Sequence, residues 1–249
     1  MTFFHDAHNH LQDERLASEL EKILRELPGR CVVNGTREKD WPWVEALAKR
    51  CDQIIPAFGL HPWFIKERSQ SWFDTLRRLL DANSSACVGE IGLDRWMENP
   101  DLADQERVFV QQLELAAERN VAASIHCLKA WGPLEETLRK SRRPGRGFLI
   151  HSYGGSAEMV PVFAKMGGYF SISGYFAHAR KAAQRKVFKQ IPIDRLLVET
   201  DAPDMAPPAE LTNRPADIAA IYGFAAGVRE IPLEAFAAQI ERNFRTLFS

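Results

Sequence analysis

Short apolar runs alternate with longer segments of helical periodicity along nearly the whole chain. In residues 14–27, for example, Leu16, Leu20, Ile23, Leu24 and Leu27 recur at the spacing of one buried helix face. The apolar runs predict strands at residues 2–8, 31–33, 54–59, 86–89, 121–125, 147–150, 168–173 and 196–198. The periodic segments predict helices at residues 14–27, 41–49, 72–80, 104–119, 134–139, 157–165, 181–189, 215–228 and 233–247.

This alternation predicts an α/β fold. Eight candidate strands, each followed by a helix and without a long linker, favour a (β/α)8 TIM-barrel-like fold over an open doubly wound sheet. The chain of 249 residues is 45% hydrophobic, which is enough to bury one such core. No GxGxxG sequence follows the first strand, so the usual dinucleotide signature is missing. We therefore predict a single barrel domain over residues 1–249.

Composition narrows the functional classes. The formal net charge is -1 and the pI is about 6.7, so a nucleic-acid substrate would need a local basic patch. The chain does not open with a basic segment before an apolar stretch, and no uncharged run approaches the ~18 residues of a membrane span. Its four cysteines form no CxxC pair. We expect a cytoplasmic protein with reduced cysteines and no membrane association.

Candidate metal ligands cluster at one kind of position, the carboxyl end of a predicted strand. The histidines at such positions are His8, His10, His61, His126 and His151. Glu90 and Asp201 occupy similar places. In a (β/α)8 barrel the carboxyl ends of all strands face one pocket, so these side chains are expected to converge. Imidazole and carboxylate ligands without thiolates predict one or two divalent ions, with Mg, Mn and Zn as candidates.

The spacing favours two metal sites. His8 and His10 are two residues apart on an extended segment, so both project to the same side and would hold one ion together with Asp201. His126 and His151 would hold the other ion. Two ions ~3.5–4 Å apart activate water and neutralise charge during phosphoester hydrolysis.

Two further side chains have distinct predicted roles. Glu90 has two carboxylate oxygens and would bridge the two ions. His61 precedes Pro62 and Trp63, and we interpret it as a substrate contact or a support for a ligand rather than a ligand itself.

The chain resembles the TatD-like metal-dependent hydrolases, the TatD DNase family within the amidohydrolase-type barrels. The matching motifs are Asp6-Ala7-His8-Asn9-His10, Gly59-Leu60-His61-Pro62-Trp63, Gly89-Glu90-Ile91-Gly92-Leu93-Asp94, Ile125-His126-Cys127, His151-Ser152-Tyr153-Gly154-Gly155-Ser156 and Glu199-Thr200-Asp201-Ala202-Pro203. The resemblance implies a divalent-metal hydrolase, commonly described as a deoxyribonuclease or 3′ to 5′ exonuclease. The implied ligands are His8, His10, Glu90, His126, His151 and Asp201.

Residue roles follow from these positions. Asp201 is expected to act as the general base, and Glu90 to bridge the metals. Many relatives have Arg-Asp after the His126 motif, whereas this chain has Leu128-Lys129, so a bidentate phosphate contact is replaced by a point charge. The candidate substrate contacts are His61, Trp63, Lys129 and Asp204. The rim aromatics that are candidates for base stacking are Trp63, Trp96, Trp131 and Tyr153.

Three functional hypotheses follow. The leading one is a phosphodiester-cleaving deoxyribonuclease or exonuclease with DNA or another phosphoester as its partner. The second is a hydrolase of an ester, amide or aminoacyl bond in a small molecule or a tRNA-linked substrate, which the near-neutral charge and the missing arginine favour. The third is a non-catalytic barrel subunit, and the complete ligand set argues against it. The sequence predicts no particular protein partner.

Overall fold

Eight parallel strands form a nearly closed barrel in a computed structural model that describes residues 3–208 and 213–249. Each strand pairs with the next along the chain, from first to last. The strands are β1 (Asp6–Asn9), β2 (Cys31–Asn34), β3 (Ile54–Phe58), β4 (Cys87–Asp94), β5 (Ala123–Leu128), β6 (Phe148–Ile150), β7 (Gly168–Ile172) and β8 (Leu196–Val198). The predicted (β/α)8 architecture is confirmed.

Helices surround the barrel and fall close to the predicted segments. They are α1 (Leu20–Glu26), α2 (Trp41–Arg50), α3 (Trp72–Ala82), α4 (Leu102–Arg119), α5 (Trp131–Lys140), α6 (Val160–Lys165), α7 (Ala182–Phe188), α8 (Ile218–Arg229) and α9 (Leu233–Phe248). Three predicted helices begin with a separate 3₁₀ turn, at Glu14–Glu19, Ala157–Met159 and Pro215–Asp217. Within the described ranges, none of the helices has both the length and the hydrophobicity that crossing a bilayer requires.

Hydrogen bonds across the β1–β8 seam close the barrel beside the predicted metal centre. The backbone N–H of Asp201 donates to the carbonyl of His8 (2.9 Å), and that of His10 donates to Ala202 (2.7 Å). The buried carboxylate of Asp6 accepts from both the backbone N–H (2.9 Å) and the hydroxyl (2.6 Å) of Thr200. The seam therefore fixes the segment that carries Asp201 against the one that carries the first two histidines.

Strand β4 extends well beyond its predicted end at residue 89, so that boundary was wrong. All eight residues of Cys87–Asp94 are buried, and Glu90 lies inside the strand rather than after it. Glycines interrupt the apolar run in the sequence, which made the strand look shorter. Gly92 is required there because its φ is +144° and a Cβ would lie 2.0 Å from the carbonyl oxygen of His126.

Strand β1 also differs from its prediction. The structure places it at Asp6–Asn9 instead of residues 2–8, so His8 and Asn9 belong to the strand and His5 precedes it. Residue 2, where the predicted strand began, lies outside the described residues. The prediction of a first strand is therefore correct, but the observed strand lies closer to the His8 and His10 motif than predicted.

Burial shows where the barrel opens. Every residue in the strands is buried except the last three of β5, His126–Leu128, which are partly exposed. The interior is therefore packed through most of its length, and solvent reaches it at the carboxyl end of β5.

Candidate metal centre

The six predicted ligands converge at the carboxyl end of the barrel. They are His8 in β1, His10 directly after it, Glu90 in β4, His126 in β5, His151 directly after β6 and Asp201 after β8. A shift in the pairing register between Val88 and Ile91 accompanies the turn of the Glu90 backbone, whose N–H donates to the carbonyl of Gly35 (2.8 Å) instead of continuing the ladder with β5. Such irregularities re-aim a side chain at the end of a barrel.

His8, His10 and Asp201, the residues of the first predicted site, lie close together. The Nε2 atoms of the two histidines are 3.3 Å apart. An Asp201 carboxylate oxygen lies 3.7 Å from Nε2 of His8 and 3.5 Å from Nε2 of His10. Because these three donor atoms face one another within 4.8 Å, they can ligate a single ion.

The Glu90 carboxylate faces histidines on both of its sides. Its Oε2 atom lies 3.5 Å from Nε2 of His8 and 3.3 Å from Nε2 of His10. Its Oε1 atom lies 3.1 Å from Nδ1 of His126 and 2.9 Å from Nε2 of His151. The two oxygens thus face the two predicted histidine pairs, which is the arrangement a bridging carboxylate needs.

The second half of the centre contains two residues that were not predicted as ligands. His126 and His151 approach within 3.3 Å, but His126 also forms a donor group with Glu90 and His61. His151 forms one with His8 and Glu199. Sequence reasoning missed Glu199, although it directly follows a predicted strand, as the other candidate ligands do.

The donor set fits a divalent metal ion. His151 Nδ1 and Glu199 Oε1 are buried, 3.5 Å apart, and have no hydrogen-bond partner. Leaving buried polar atoms unpaired costs free energy, and a cation ligated by both atoms would satisfy them. Imidazole and carboxylate donors without thiolate are typical ligands of Zn, Mn or Mg rather than of Cu(I) or iron–sulfur clusters.

The outer nitrogens of two predicted ligands are bound by hydrogen-bond acceptors. His10 Nδ1 lies 2.8 Å from the carbonyl oxygen of Asn34, and His126 Nε2 lies 3.0 Å from a carboxylate oxygen of Asp94. Because a carbonyl and an ionised carboxylate only accept, each outer nitrogen carries a hydrogen, and the inner nitrogen is the one that would bind a metal ion, with release of its proton. This is the orientation of metal-binding histidines.

His61 has the opposite arrangement. Its Nδ1 accepts the backbone N–H of Trp63 (3.2 Å), so a neutral ring carries its hydrogen on Nε2. That Nε2 atom lies 3.3 Å from Glu90 Oε1. His61 is therefore arranged to donate a hydrogen bond into the centre, whereas the inner nitrogens of His10 and His126 are available to a metal ion.

Electrostatics keep both central carboxylates ionised. Burial raises the pKa of Glu90, but the surrounding histidines, led by His61 and His151, more than offset it and hold that pKa well below its ordinary value. Burial also raises the pKa of Asp201, and the hydrogen bond from His10 and the charge of His151 lower it further than burial raises it. Two ionised carboxylates in one buried pocket provide the negative charge that attracts a cation.

Burial has a simpler effect on the most deeply placed histidine. It lowers the pKa of His8 to about 4, and the charge of His151 adds to that effect. The His8 ring is therefore neutral at pH 7, which is the form that binds a metal.

The predicted substrate contacts lie at different distances from this centre. Trp63 is 48% exposed beside it, and Lys129 follows directly after β5, with its ammonium group 5.9 Å from the Trp96 ring. Asp204 is farther out, where Arg15 donates to both of its carboxylate oxygens (2.9 and 2.8 Å).

The four rim aromatics fall into two classes. Tyr153 is fully buried, and Trp131 packs against it with ring centroids 5.2 Å apart. Trp63 and Trp96 are exposed, by 48% and 63%. Trp131 is partly exposed, so the second pair presents the larger aromatic surface to a ligand.

A barrel whose histidines and carboxylates converge at the carboxyl ends of its strands defines a metal-dependent hydrolase. The model of the TatD related DNase family matches residues 5–249. The chain belongs to this family.

Similar proteins cover the chain almost completely. The uncharacterized metal-dependent hydrolase YjjV of Escherichia coli K12 is 27% identical over 99% of this chain and 98% of that protein. The crystal structure of that TatD homolog has a TM-score of 0.93, covering 98% of this chain and 97% of the other. The 3′-5′ ssDNA/RNA exonuclease TatD of Pantoea vagans is 31% identical over 96% of both chains.

Proposed function

We propose that this hydrolase is a nuclease that cleaves phosphodiester bonds at the 3′ end of single-stranded nucleic acid. The observation that carries the proposal is Glu90, whose two oxygens face two separate groups of histidines. Paired metal sites are the usual apparatus for displacement at phosphorus, where attacking and leaving oxygens both need stabilisation. The similarity to an exonuclease that acts on single-stranded DNA and RNA supports the same substrate class.

The proposed metal ligands are the six predicted residues, with Glu199 beside them. The six are His8, His10, Glu90, His126, His151 and Asp201. Divalent ions at these side chains would neutralise phosphate charge and lower the pKa of a bound water. We expect one or two ions drawn from Mg, Mn and Zn.

The protein's own side chains supply the proton chemistry and orientation. Asp201, with its lowered pKa, is ionised and positioned to take the proton of the attacking water and to return it to the leaving oxygen. The His61 Nε2–H donates toward the centre and would hold a phosphate oxygen. Lys129 adds a positive charge at the opening of β5, although it lacks the bidentate geometry of arginine. A substrate contact by Asp204 stays a prediction, since Arg15 already binds its carboxylate.

The test is cleavage of a 5′-labelled single-stranded oligonucleotide by metal-loaded protein. We expect products that shorten from the 3′ end and disappear with His126→Ala. The matched control is His178→Ala, because that histidine bonds the carbonyl oxygen of Ala206 (3.2 Å) and belongs to none of the donor groups. Failure to cleave, or cleavage that survives His126→Ala, would show that the proposal is wrong.

A second candidate activity is hydrolysis of an ester, amide or aminoacyl bond. The observation that favours it is Leu128, which stands at the position where the family resemblance implies a phosphate-binding arginine. A panel of such substrates, assayed with the same metal-loaded preparation, separates the two activities. Turnover of one of these compounds in the absence of oligonucleotide cleavage would establish the second activity.

We also propose a cytoplasmic location. All four cysteines lie in the described part of the chain and have free thiols. Unpaired cysteines are usual in a reducing compartment. Detection of the protein in a cell fraction outside the cytoplasm would contradict this proposal.

A further inference from the structure

Two of the exposed large hydrophobic side chains lie at the rim of the metal centre. Trp63 follows β3 and Trp96 follows β4, and they are 48% and 63% exposed. Isolated exposed apolar residues are common, but two tryptophans beside one site are a feature that typically serves binding.

Both tryptophans donate hydrogen bonds to the same buried carboxylate. Asp94 is fully buried; its Oδ2 accepts the indole N–H of Trp63 (2.8 Å), and its Oδ1 accepts the backbone N–H of Trp96 (2.6 Å). The same Oδ2 atom also accepts from Nε2 of His126 (3.0 Å). The indole of Trp63 is therefore held by its polar edge while its ring remains exposed, which reduces the entropy lost when a ligand stacks on it.

Two successive ring contacts connect Trp63 to the metal centre. Its ring centroid is 5.4 Å from that of His61, at an interplanar angle of 87°. The His61 ring is in turn 4.4 Å from the ring of His126, a proposed ligand. An aromatic group stacked on Trp63 would thus lie one side chain away from the donor groups.

A positively charged side chain lies at the same rim. Lys129 directly follows β5, and its ammonium group lies 5.9 Å from the Trp96 ring. Aromatic faces next to a positive charge match the two components of a single strand, because bases stack on the rings and phosphates approach the cation. Paired bases in a duplex are already stacked and do not offer free faces.

From this arrangement we infer that Trp63, Trp96 and Lys129 form a subsite that stacks an unpaired nucleobase next to the phosphodiester to be cleaved. The inference rests on the proposed nuclease activity and deepens it, since it assigns the residues that would select a single strand. A base-stacking subsite gives little sequence preference, because every base presents a π face.

The kinetic test compares a single-stranded oligonucleotide with the same oligonucleotide carrying abasic 3′-terminal nucleotides. For Trp63→Ala and Trp96→Ala we expect KM on the base-bearing strand to rise about tenfold, in line with the stacking contribution of one base. On the abasic strand the variants and the unaltered protein should have the same KM. The control is Trp43→Ala, which removes a 68% exposed tryptophan on α2 and should change neither value. Equal losses on both strands would overturn the subsite.

A binding measurement separates this inference from the nuclease proposal. Quenching of tryptophan fluorescence is followed while metal-loaded protein is titrated with a cleavage-resistant phosphorothioate oligodeoxyadenylate or its abasic counterpart. Base-dependent quenching that Trp63→Ala and Trp96→Ala weaken supports the subsite even if no phosphodiester is cleaved. Cleavage without any difference between base-bearing and abasic strands leaves the nuclease intact and overturns the subsite. Absence of both cleavage and quenching overturns both proposals.

Discussion

At the amino end of the barrel His5 is buried among aromatic side chains, whereas at the carboxyl end five histidines share a pocket with carboxylates. The His5 ring stacks on Phe244 with centroids 4.5 Å apart and planes 15° apart. Its Nδ1 accepts the backbone N–H of Arg30 (3.0 Å), so its hydrogen is on Nε2, which has no partner. His5 therefore packs in the core. Within the described ranges it belongs to none of the groups of side chains that could hold a metal ion.

The difference between the two ends comes from carboxylates, because both ends bury histidine. Burial lowers the pKa of His5, and the charge of Glu241, which acts to raise it, does not offset that effect. Burial also acts to lower the pKa of His10 and of His151, but Glu90 and Asp201 outweigh it and raise both pKa values well above the ordinary one. A buried histidine is therefore a packing residue or part of a charged site depending on the groups that face its nitrogens.

The largest effect is expected from the carboxylate that distinguishes the carboxyl end. Asp201→Asn keeps the shape of the side chain and removes both its charge and its capacity to take a proton. We expect kcat to fall at least ~10³-fold, within the range for loss of a general base. Steady-state kinetics on the substrate that the protein hydrolyses would measure this, with Asp217→Asn, an exposed residue paired with Arg214, as control. A decrease smaller than about tenfold would contradict the assigned role.

Metal binding should stabilise the fold through the carboxyl end. A divalent ion at 100 times its Kd adds about 2.7 kcal/mol to the free energy of unfolding, because only the folded state assembles the ligands. Chelation should therefore lower the midpoint of thermal unfolding, and adding Mn or Zn should restore it. His10→Ala should abolish the response, and His178→Ala should keep it. If neither chelator nor added metal changed the midpoint of thermal unfolding, the proposed metal centre would be contradicted.

Asp94 should influence metal affinity without being a ligand. Asp94→Asn removes the charge that fixes the His126 ring through Nε2. Loss of such a partner typically weakens metal binding 10- to 100-fold. Calorimetric titration with metal would measure the change. The matched control is Asp40→Asn, which removes a carboxylate that bonds Thr36 and no histidine. Equal affinities of the Asp94 variant and the unaltered protein would show that His126 is positioned by other contacts.

The fold, and the convergence of the candidate ligands at one end of the barrel, could largely be predicted from the sequence. Strand–helix alternation is encoded in local apolar patterns, and the barrel brings strand ends together irrespective of their separation along the chain. His8 and Asp201 are therefore recognisable although nearly the whole chain separates them. The same reasoning found Glu90 while placing it after its strand instead of inside it.

What could not be predicted depends on backbone detail and on contacts between distant segments. The register shift in β4 between Val88 and Ile91, and the need for glycine at position 92 beside His126, become visible only when β4 lies against β5. The role of Asp94 depends on three segments meeting at one carboxylate. The hydrogen position on His61 depends on the backbone of Trp63, which periodicity does not describe.

The smallest expected effect tests the amino end, where His5 should make stability depend on pH. Because burial lowers the pKa of His5 in the folded state below its ordinary value of 6.5, the unfolded chain takes up the proton first as pH falls. The stability associated with neutral His5 is fully present above pH 6.5 and is lost as pH falls from there toward the folded-state pKa.

His5→Phe keeps the ring that stacks on Phe244 and cannot be protonated. The variant loses the acceptor for the Arg30 N–H at every pH, and this constant cost cancels when two pH values are compared. Relative to the unaltered protein, the variant should therefore be more stable at about pH 5 than at about pH 7.5. Chemical denaturation of both proteins with chelator present isolates this difference, because metal binding then contributes to the stability of neither and the ligand side chains are the same in both. An unchanged difference at the two pH values would mean that His5 is not desolvated, and the contrast between the two ends of the barrel would then rest on the carboxylates alone.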